Sequence, residues 1–324
     1  MDALALFSNP IWFICSFALS VMLWAGRRCK WRPDACPVDL SGKTAIVTGA
    51  NCGIGKHVAL DLARRNAHTI LACRSKERGQ AVLEEIRRAT GNPRVQLRIL
   101  DTSSMASVQD FARRFLEEET QLDILVNNAG ATGLPHTVTV EGLELLFATN
   151  ILGAFLLTNL LLDTMKASAP ARIVNVSSFR HRSGKVNLKF LTGEEQPRTR
   201  DQAYNSTKLM GIVFTAELDR RLQGTGVSVN AVNPGVVKTH IMRHFSWWAR
   251  LLFNVLGIFF KSARAGASST LYCAVSKEVE GVSGKYFDSD CSLALPLPLA
   301  QDPEVGRKLW GALEKLTGLG RGRK

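Results

Sequence analysis

Residues 43–60 read KTAIVTGANCGIGKHVAL, an apolar run that leads through a glycine-rich turn directly into a helical pattern. The run 43–48 predicts a buried β-strand, and the residues near 54–66 predict a helix. Glycines at positions 49, 53 and 55 would allow a tight turn and let the backbone approach a pyrophosphate at the helix N-terminus. This stretch therefore predicts the first strand, turn and helix of a nucleotide-binding βαβ unit.

Apolar runs and helical patterns continue to alternate along the rest of the chain. Further strands are predicted at 68–73, 95–101, 122–127, 171–177, 227–232 and, as the last strand, 284–288. Further helices are predicted near 76–90, 105–120, 141–166 and 203–224. Because the strand runs are almost wholly apolar, the sheet should be covered on both faces. The pattern predicts an α/β fold, a Rossmann-type doubly wound parallel sheet that forms a single domain over residues 40–295.

The end of the second predicted strand indicates which dinucleotide the turn would bind. The segment HTILACR ends in Arg74, where an NAD site normally carries an acidic residue for the ribose 2′-hydroxyl. A guanidinium pairs with a 2′-phosphate, so the sequence favours NADP(H) over NAD(H). Lys56 would either add positive charge to this site or face solvent. Asp101, which ends the third strand, would either accept from the adenine amine or cap the next helix.

The N-terminal segment differs from the rest of the chain. No residue from Ala3 to Gly26 is charged, and this length suffices to cross a bilayer. The basic residues Arg27, Arg28, Lys30 and Arg32 follow the apolar run, which argues against a cleaved signal peptide. We therefore expect residues 1–26 to be a membrane anchor and 27–39 a linker, with the catalytic domain facing the cytosol from a membrane such as the endoplasmic reticulum. An interfacial insertion and a buried helix are the alternatives.

Composition excludes two classes of partner. The net charge of +13 over 324 residues is spread along the chain without interleaved aromatic residues, so nucleic-acid binding is not expected. The basic surface suits an anionic cofactor or an anionic membrane leaflet. The seven cysteines and six histidines show no paired metal-ligand spacing, so no metal is expected.

Three further motifs follow the glycine turn in order: NNAG at 127–130, YNSTK at 204–208 and NPGVVKT at 233–239. With TGANCGIG, these motifs resemble the short-chain dehydrogenase/reductase family over roughly residues 40–290. The stretches LACRS and ARIVNVSS are similar to its retinol dehydrogenase branch. The resemblance implies an enzyme that interconverts a lipophilic alcohol and its aldehyde or ketone by hydride transfer. A catalytically idle nucleotide-binding scaffold on the same fold is the alternative.

The resemblance also implies a role for each matching residue. Tyr204 would be the acid/base, Lys208 its activator and a ribose ligand, and Ser178 the hydroxyl that orients the carbonyl. Asn150 would hold a water that relays protons to Lys208. The implied cofactor-binding residues are Gly49, Asn51, Cys52, Gly53, Ile54, Gly55, Arg74, Asp101, Asn128, Ala129, Gly130, Tyr204, Lys208, Pro234, Gly235 and Thr239.

The spacing of Tyr204 and Lys208 gives this role a physical basis. Residues four apart lie on one face of a helix, so the two side chains should be neighbours. A free phenol titrates at about 10, and a close ammonium should lower the pKa of Tyr204 by stabilising its phenolate. The sequence therefore predicts a tyrosine with a depressed pKa beside the bound cofactor.

The C-terminal third carries two further apolar stretches. Residues 244–260, HFSWWARLLFNVLGIFF, lie within a predicted lid of about 239–262. Such a lid would suit a lipid-like substrate such as a retinoid, a steroid or a fatty aldehyde; a helix pair packed on the core is the alternative. Residues 293–303 predict an extended wrap, and 296–324 form a C-terminal extension with a basic tail.

Overall fold

Eight strands form one sheet in the spatial order β3-β2-β1-β4-β5-β6-β7-β8 within the part of the chain that the structure describes. The structure is a computed structural model that describes residues 31–238 and 260–319. The strands are β1 Thr44–Thr48, β2 His68–Cys73, β3 Val95–Ile99, β4 Ile124–Asn127, β5 Ala171–Val176, β6 Val227–Val232, β7 Tyr286–Phe287 and β8 Leu293–Ala294. Strands β1 to β7 pair parallel with one another, as predicted.

Helices cover both faces of this sheet. They are α1 Gly53–Arg64, α2 Lys76–Thr90, α3 Met105–Glu118, α4 Leu145–Ala167, α5 Arg200–Leu222, α6 Ala263–Val275 and α7 Pro303–Thr317. Alternate residues of a strand point to opposite faces. Accordingly, Ile46 belongs to a buried cluster that includes residues of α3, α4, α5 and α7, whereas Ala45 and Val47 belong to one that includes residues of α1, α2 and α6. The doubly wound arrangement in a single domain is therefore confirmed.

The prediction for the last strand of the sheet was wrong. Residues 284–288 were expected to form the last strand, but the chain reverses at the turn in which Asp288 accepts from the Cys291 backbone N–H at 3.0 Å. It then adds β8, which pairs antiparallel with β7. The predicted extended wrap accordingly begins as a strand and continues through a 3₁₀ turn at Pro298–Gln301 into α7. Helices α6 and α7 have no counterpart among the helices expected from the sequence.

Helix α7 makes the predicted C-terminal extension part of the folded domain. The indole of Trp310 lies 4.9 Å from the ring of Phe155 in α4 and 5.9 Å from that of Phe214 in α5, measured between ring centroids. The Arg221 guanidinium stacks 4.0 Å from the same indole. These contacts hold α7 against α5, which carries the YNSTK motif.

Helix α4 is the described helix that is long and apolar enough to cross a membrane. Its apolar side chains are explained by the core, because 61% of its most apolar window is buried inside the domain. A π-helical segment, Ala148–Leu152, interrupts its regular winding. The predicted anchor at 1–26, most of the predicted lid and the end of the basic tail lie outside the described residues.

Candidate active site

The glycine-rich turn leaves room only for backbone where it meets the neighbouring strand. Gly49 has a φ of +66° and Gly53 a φ of +57°, a region that favours glycine. A Cβ on Gly49 would lie 2.9 Å from the Cα of Ala129, and a Cβ on Gly55 would lie 2.6 Å from the Gly49 carbonyl oxygen. The turn therefore packs against the end of β4 with its backbone, and α1 begins at its edge.

Side chains from β1 and the NNAG motif fasten this arrangement. The Thr48 hydroxyl accepts from the backbone N–H groups of Asn128 and Ala129, both at 2.9 Å. The Asn128 amide donates to the Thr48 carbonyl at 2.8 Å. These bonds tie the ends of β1 and β4 together and shape one wall of a cleft of about 280 Å³.

The far end of the cleft is basic. Arg74 follows β2 and Arg78 lies in the first turn of α2, and both line the cleft. The Arg74 guanidinium is 3.6 Å from the Asp101 carboxylate. Sequence reasoning missed Arg78, although a basic residue four positions after Arg74 was a usable signal. Two guanidinium groups thus border the place where the ribose of a bound dinucleotide would lie.

The structure tests the two roles that the sequence left open for each of Lys56 and Asp101. Lys56 is held by the Glu85 carboxylate at 2.6 Å, so it serves neither as a free cation of the cleft nor as an unpaired surface lysine. Asp101 does not cap α3, because Ser104 occupies that position and accepts from the Ser107 N–H. Asp101 lines the cleft and accepts from the Ser103 hydroxyl at 2.6 Å.

The Tyr204 and Lys208 side chains face the same cleft from α5, as their spacing predicted. They are 8% and 7% exposed, respectively. The Lys208 ammonium lies 5.6 Å from the centroid of the Tyr204 ring and donates to the Val176 carbonyl at 2.8 Å. A hydrogen bond joins the Ser178 hydroxyl to Tyr204. A proton-bearing phenol, a hydroxyl and a buried cation therefore meet at one point.

Burial controls the pKa of both groups. It raises the pKa of Tyr204 above its usual value, and this effect outweighs the opposing hydrogen bond from Ser178 and the nearby Arg180 guanidinium. Burial also lowers the pKa of Lys208 to about 8. The expected depression of the Tyr204 pKa by Lys208 is therefore not found. Sequence reasoning missed Arg180, whose guanidinium carbon lies 5.8 Å from the Tyr204 ring centroid.

The Asn150 side chain is hydrogen-bonded to other groups of the protein. Its amide nitrogen donates to the Ala131 carbonyl and the Thr207 hydroxyl, both at 3.0 Å, and its oxygen accepts from the Ala131 N–H at 2.8 Å. Asn150 lies in the π-helical segment of α4, so these bonds link α4, the chain after β4 and α5. The expected water relay stays a prediction. The hydrogen bond from Asn150 to Thr207 also holds α5 in place beside Lys208.

Comparison with known proteins identifies the family. The short chain dehydrogenase family matches residues 43–249. Retinol dehydrogenase 13 of Mus musculus is 46% identical over 294 residues, which cover 88% of this chain and 87% of that protein. The chain belongs to the short chain dehydrogenase family.

Solved structures agree with this assignment. An uncharacterised protein from Mycobacterium paratuberculosis superposes on this short chain dehydrogenase with a TM-score of 0.71 and 31% identity, covering 89% of this chain and 97% of that one. A protein assigned as an NAD(P)-dependent gluconate 5-dehydrogenase from Beutenbergia cavernae, solved with bound NADP, has a TM-score of 0.61 and 25% identity. That likeness covers 78% of this chain and 97% of the bacterial one.

Most residues that the sequence assigned to the site of this short chain dehydrogenase line the cleft. Those that do are Gly49, Asn51, Cys52, Gly53, Ile54, Arg74, Asp101, Asn128, Ala129, Gly130, Tyr204, Lys208 and Pro234. Gly55, Asn150, Ser178 and Gly235 are not among its lining residues, and Thr239 lies outside the described residues. The lining residues that sequence reasoning missed include Arg78, Thr102, Thr132, Leu134, Leu145 and Thr149.

A larger cavity, of about 550 Å³, lies elsewhere on this short chain dehydrogenase. Its lining includes Lys43 and Arg172, which stand at the starts of β1 and β5, so it opens at the opposite edge of the sheet. None of the described residues assigned to the active site lines it. Ligands of open α/β sheets bind at the carboxyl ends of the strands, so chemistry rather than volume identifies the active cleft.

Proposed function

We propose that this chain is an NADP(H)-dependent oxidoreductase that interconverts a lipophilic alcohol of the retinol type and its aldehyde. The observation that carries the proposal is the meeting of Tyr204, Ser178 and Lys208 beside a cleft whose other end holds Arg74 and Arg78. The similarity to retinol dehydrogenase 13 of Mus musculus supports the substrate class.

The chain's residues fit an NADP(H) molecule. The glycine turn offers a cradle that a Cβ at position 49 or 55 would fill, and α1 directs its N-terminus toward the place of the pyrophosphate. Arg74 and Arg78 supply the cationic groups that a 2′-phosphate requires. The bound NADP of the Beutenbergia cavernae protein is consistent with this cofactor.

When bound, NADPH would supply the hydride for reduction of the carbonyl carbon. Tyr204 would donate the proton to the carbonyl oxygen, because its raised pKa keeps the phenol protonated at neutral pH. The Ser178 hydroxyl would hold that oxygen through a hydrogen bond that strengthens as negative charge develops. Lys208 would bind the ribose and stabilise the phenolate that Tyr204 leaves after proton transfer.

The membrane placement is part of the same proposal. We propose that residues 1–26 anchor the chain, with 27–39 as a linker and the domain facing the cytosol from the endoplasmic reticulum. The uncharged run at 3–26 and the basic residues after it support this placement. A lid of about 239–262 would cover a lipophilic substrate, which would be a retinoid, a steroid or a fatty aldehyde.

Reduction of all-trans-retinal by the full-length protein in vesicles tests the function. With NADPH we expect retinol to form at a rate that rises with protein concentration, and with NADH a rate at least about 10-fold lower at equal cofactor concentration. A Gly49→Val variant, whose side chain would fill the cradle, is the matched control and should be inactive. Activity on neither retinoid, steroid nor fatty aldehyde would favour a non-catalytic scaffold.

The pH dependence of the reduction rate should follow the protonation of Lys208. The folded-state pKa of Lys208 is about 8, below its usual 10.5, so its cationic form is present below about pH 8 and is lost as the pH rises further. Tyr204 stays protonated over this range because burial raises its pKa. We expect kcat/KM with NADPH to fall about tenfold per pH unit above pH 8, since one proton is lost. Circular dichroism at each pH would verify folding, and a flat profile to pH 9.5 would contradict the role of Lys208.

A further inference from the structure

Three leucines on the chain after β7 project into solvent. The exposed fractions are 63% for Leu293, 79% for Leu295 and 42% for Leu299. Leu293 and Ala294 form the edge strand β8, and alternation puts Leu293 and Leu295 on the face opposite Ala294, which packs against the core. These three residues are called the leucine ridge. An apolar outer face on an edge strand is a liability unless something covers it.

One cation contacts the backbone of the leucine ridge. The Arg182 guanidinium donates to the Leu295 carbonyl at 3.4 Å, and among residues 31–238 and 260–319 it forms no ion pair. Lys185 is exposed three residues further along the same segment. Two acids stand at the ends of this stretch: Asp290 accepts from the Ser292 hydroxyl, and Asp302 accepts from the Glu304 N–H at 2.8 Å.

The leucine ridge lies on the substrate side of the domain. Arg182 belongs to the 3₁₀ turn Phe179–Ser183, for which Ser178 is the N-terminal cap. In the same turn, the ring centroid of His181 lies 4.9 Å from that of Tyr286 in β7, the partner strand of β8. One short turn therefore separates the ridge from the hydroxyl assigned to the substrate carbonyl.

The described residues that flank positions 239–259 lie beside the same turn. Val237 and Lys261 form a parallel bridge, and the Lys261 ammonium donates to the Ser289 carbonyl at 2.7 Å. Ser289 lies in the turn that leads from β7 into the leucine ridge. The chain between these flanks carries Trp247 and Trp248, the residue type that favours the interface between headgroups and acyl chains.

We propose that the leucine ridge docks on the surface of an anionic bilayer. Exposed aliphatic side chains beside the Arg182 guanidinium match a lipid surface, because the leucines enter the acyl boundary while Arg182 and Lys185 meet the headgroups. Docking in this way turns the cleft toward the bilayer, so that a lipophilic substrate enters without crossing water; this last point rests on the proposed function.

Photo-crosslinking tests the contact without using activity. The full-length chain carrying p-benzoylphenylalanine in place of Leu295 is reconstituted in phosphatidylcholine vesicles that contain phosphatidylserine. We expect a lipid adduct at this position and none when the same group replaces Ile99, which is 46% exposed on β3 at the opposite edge of the sheet. A crosslink between two copies of the chain at position 295, or equal lipid labelling at both positions, would overturn the proposal.

A kinetic measurement tests the consequence for the substrate. In a Leu293→Asp/Leu295→Asp variant we expect the KM for vesicle-borne retinal to rise at least tenfold, with unchanged kinetics on a water-soluble aldehyde. An Ile99→Asp variant should match the unmodified protein on both substrates. An unchanged KM of the Leu293→Asp/Leu295→Asp variant for vesicle-borne retinal contradicts docking. If the unmodified protein is inactive on both aldehydes, the proposed function is contradicted, and the crosslinking result alone decides docking.

Discussion

Replacing Tyr204 by phenylalanine should lower kcat for the reduction of retinal by about 10³-fold while NADPH binding changes less than about twofold. Positioned proton donors contribute roughly 10²–10⁴-fold to rates, and the phenol of Tyr204 is the group assigned to deliver the proton to the carbonyl oxygen. The aromatic ring, and with it the packing of α5, is retained. The measurements are single-turnover reduction of retinal and NADPH titration by fluorescence.

Tyr286 offers a control with the same chemical change. It is also buried, 4% exposed in β7, but its side chain does not line the cleft. A Tyr286→Phe variant should therefore keep kcat within about twofold of the unmodified protein, since its hydroxyl takes no part in the proton transfer. Equal activity of Tyr204→Phe and the unmodified protein would remove Tyr204 from the mechanism.

Removing both arginines at the basic end of the cleft should have the second largest effect. A hydrogen bond to a charged group contributes about 1.5–3 kcal/mol, which is roughly 10–100-fold in affinity for each arginine that contacts a 2′-phosphate. We expect the KM for NADPH to rise at least about 10²-fold in Arg74→Ala/Arg78→Ala, and the KM for NADH to change less than about threefold. Steady-state kinetics with each cofactor measures both values.

Two further variants sharpen this comparison. Arg74→Asp adds an acid at the end of β2, where it would repel a 2′-phosphate and accept from a ribose hydroxyl, so NADH should become the better cofactor. Arg113→Ala on α3 removes the same charge far from the cleft, where Arg113 pairs with Asp110 at 2.7 Å. If Arg113→Ala raised the KM for NADPH as much as Arg74→Ala, general surface charge and not a contact would explain the effect.

Local patterns were sufficient to predict most of the sheet. β2 and β6 span the predicted residues, because each apolar run is bounded by turn residues and each strand is buried on both faces. The reversal after β7 was not predictable in this way. β8 contains two residues, too few for a periodic signal, and its pairing depends on a turn closed by contacts between residues of the folded domain.

The site shows the same division between local and long-range information. The motifs placed Tyr204, Lys208 and the glycine turn in one cleft, since parallel strands end at one edge of the sheet. The pKa of Tyr204 depends instead on burial by surrounding elements, which no motif reports. The commitments of Lys56 to Glu85 and of Asn150 to Thr207 join residues 29 and 57 positions apart, so they too required the folded chain.

The stacking of Trp310 on Phe155 and Phe214 has a consequence for shortened forms of the chain. No residue of α7 lines the cleft, yet this helix forms the outer support of α5, which presents the proton donor and its neighbouring cation. A stop codon ahead of Pro303 would leave every motif residue encoded and still expose the back of the catalytic helix to water. Such a product would be inactive because α5 is no longer held rigidly, although every catalytic side chain is still present.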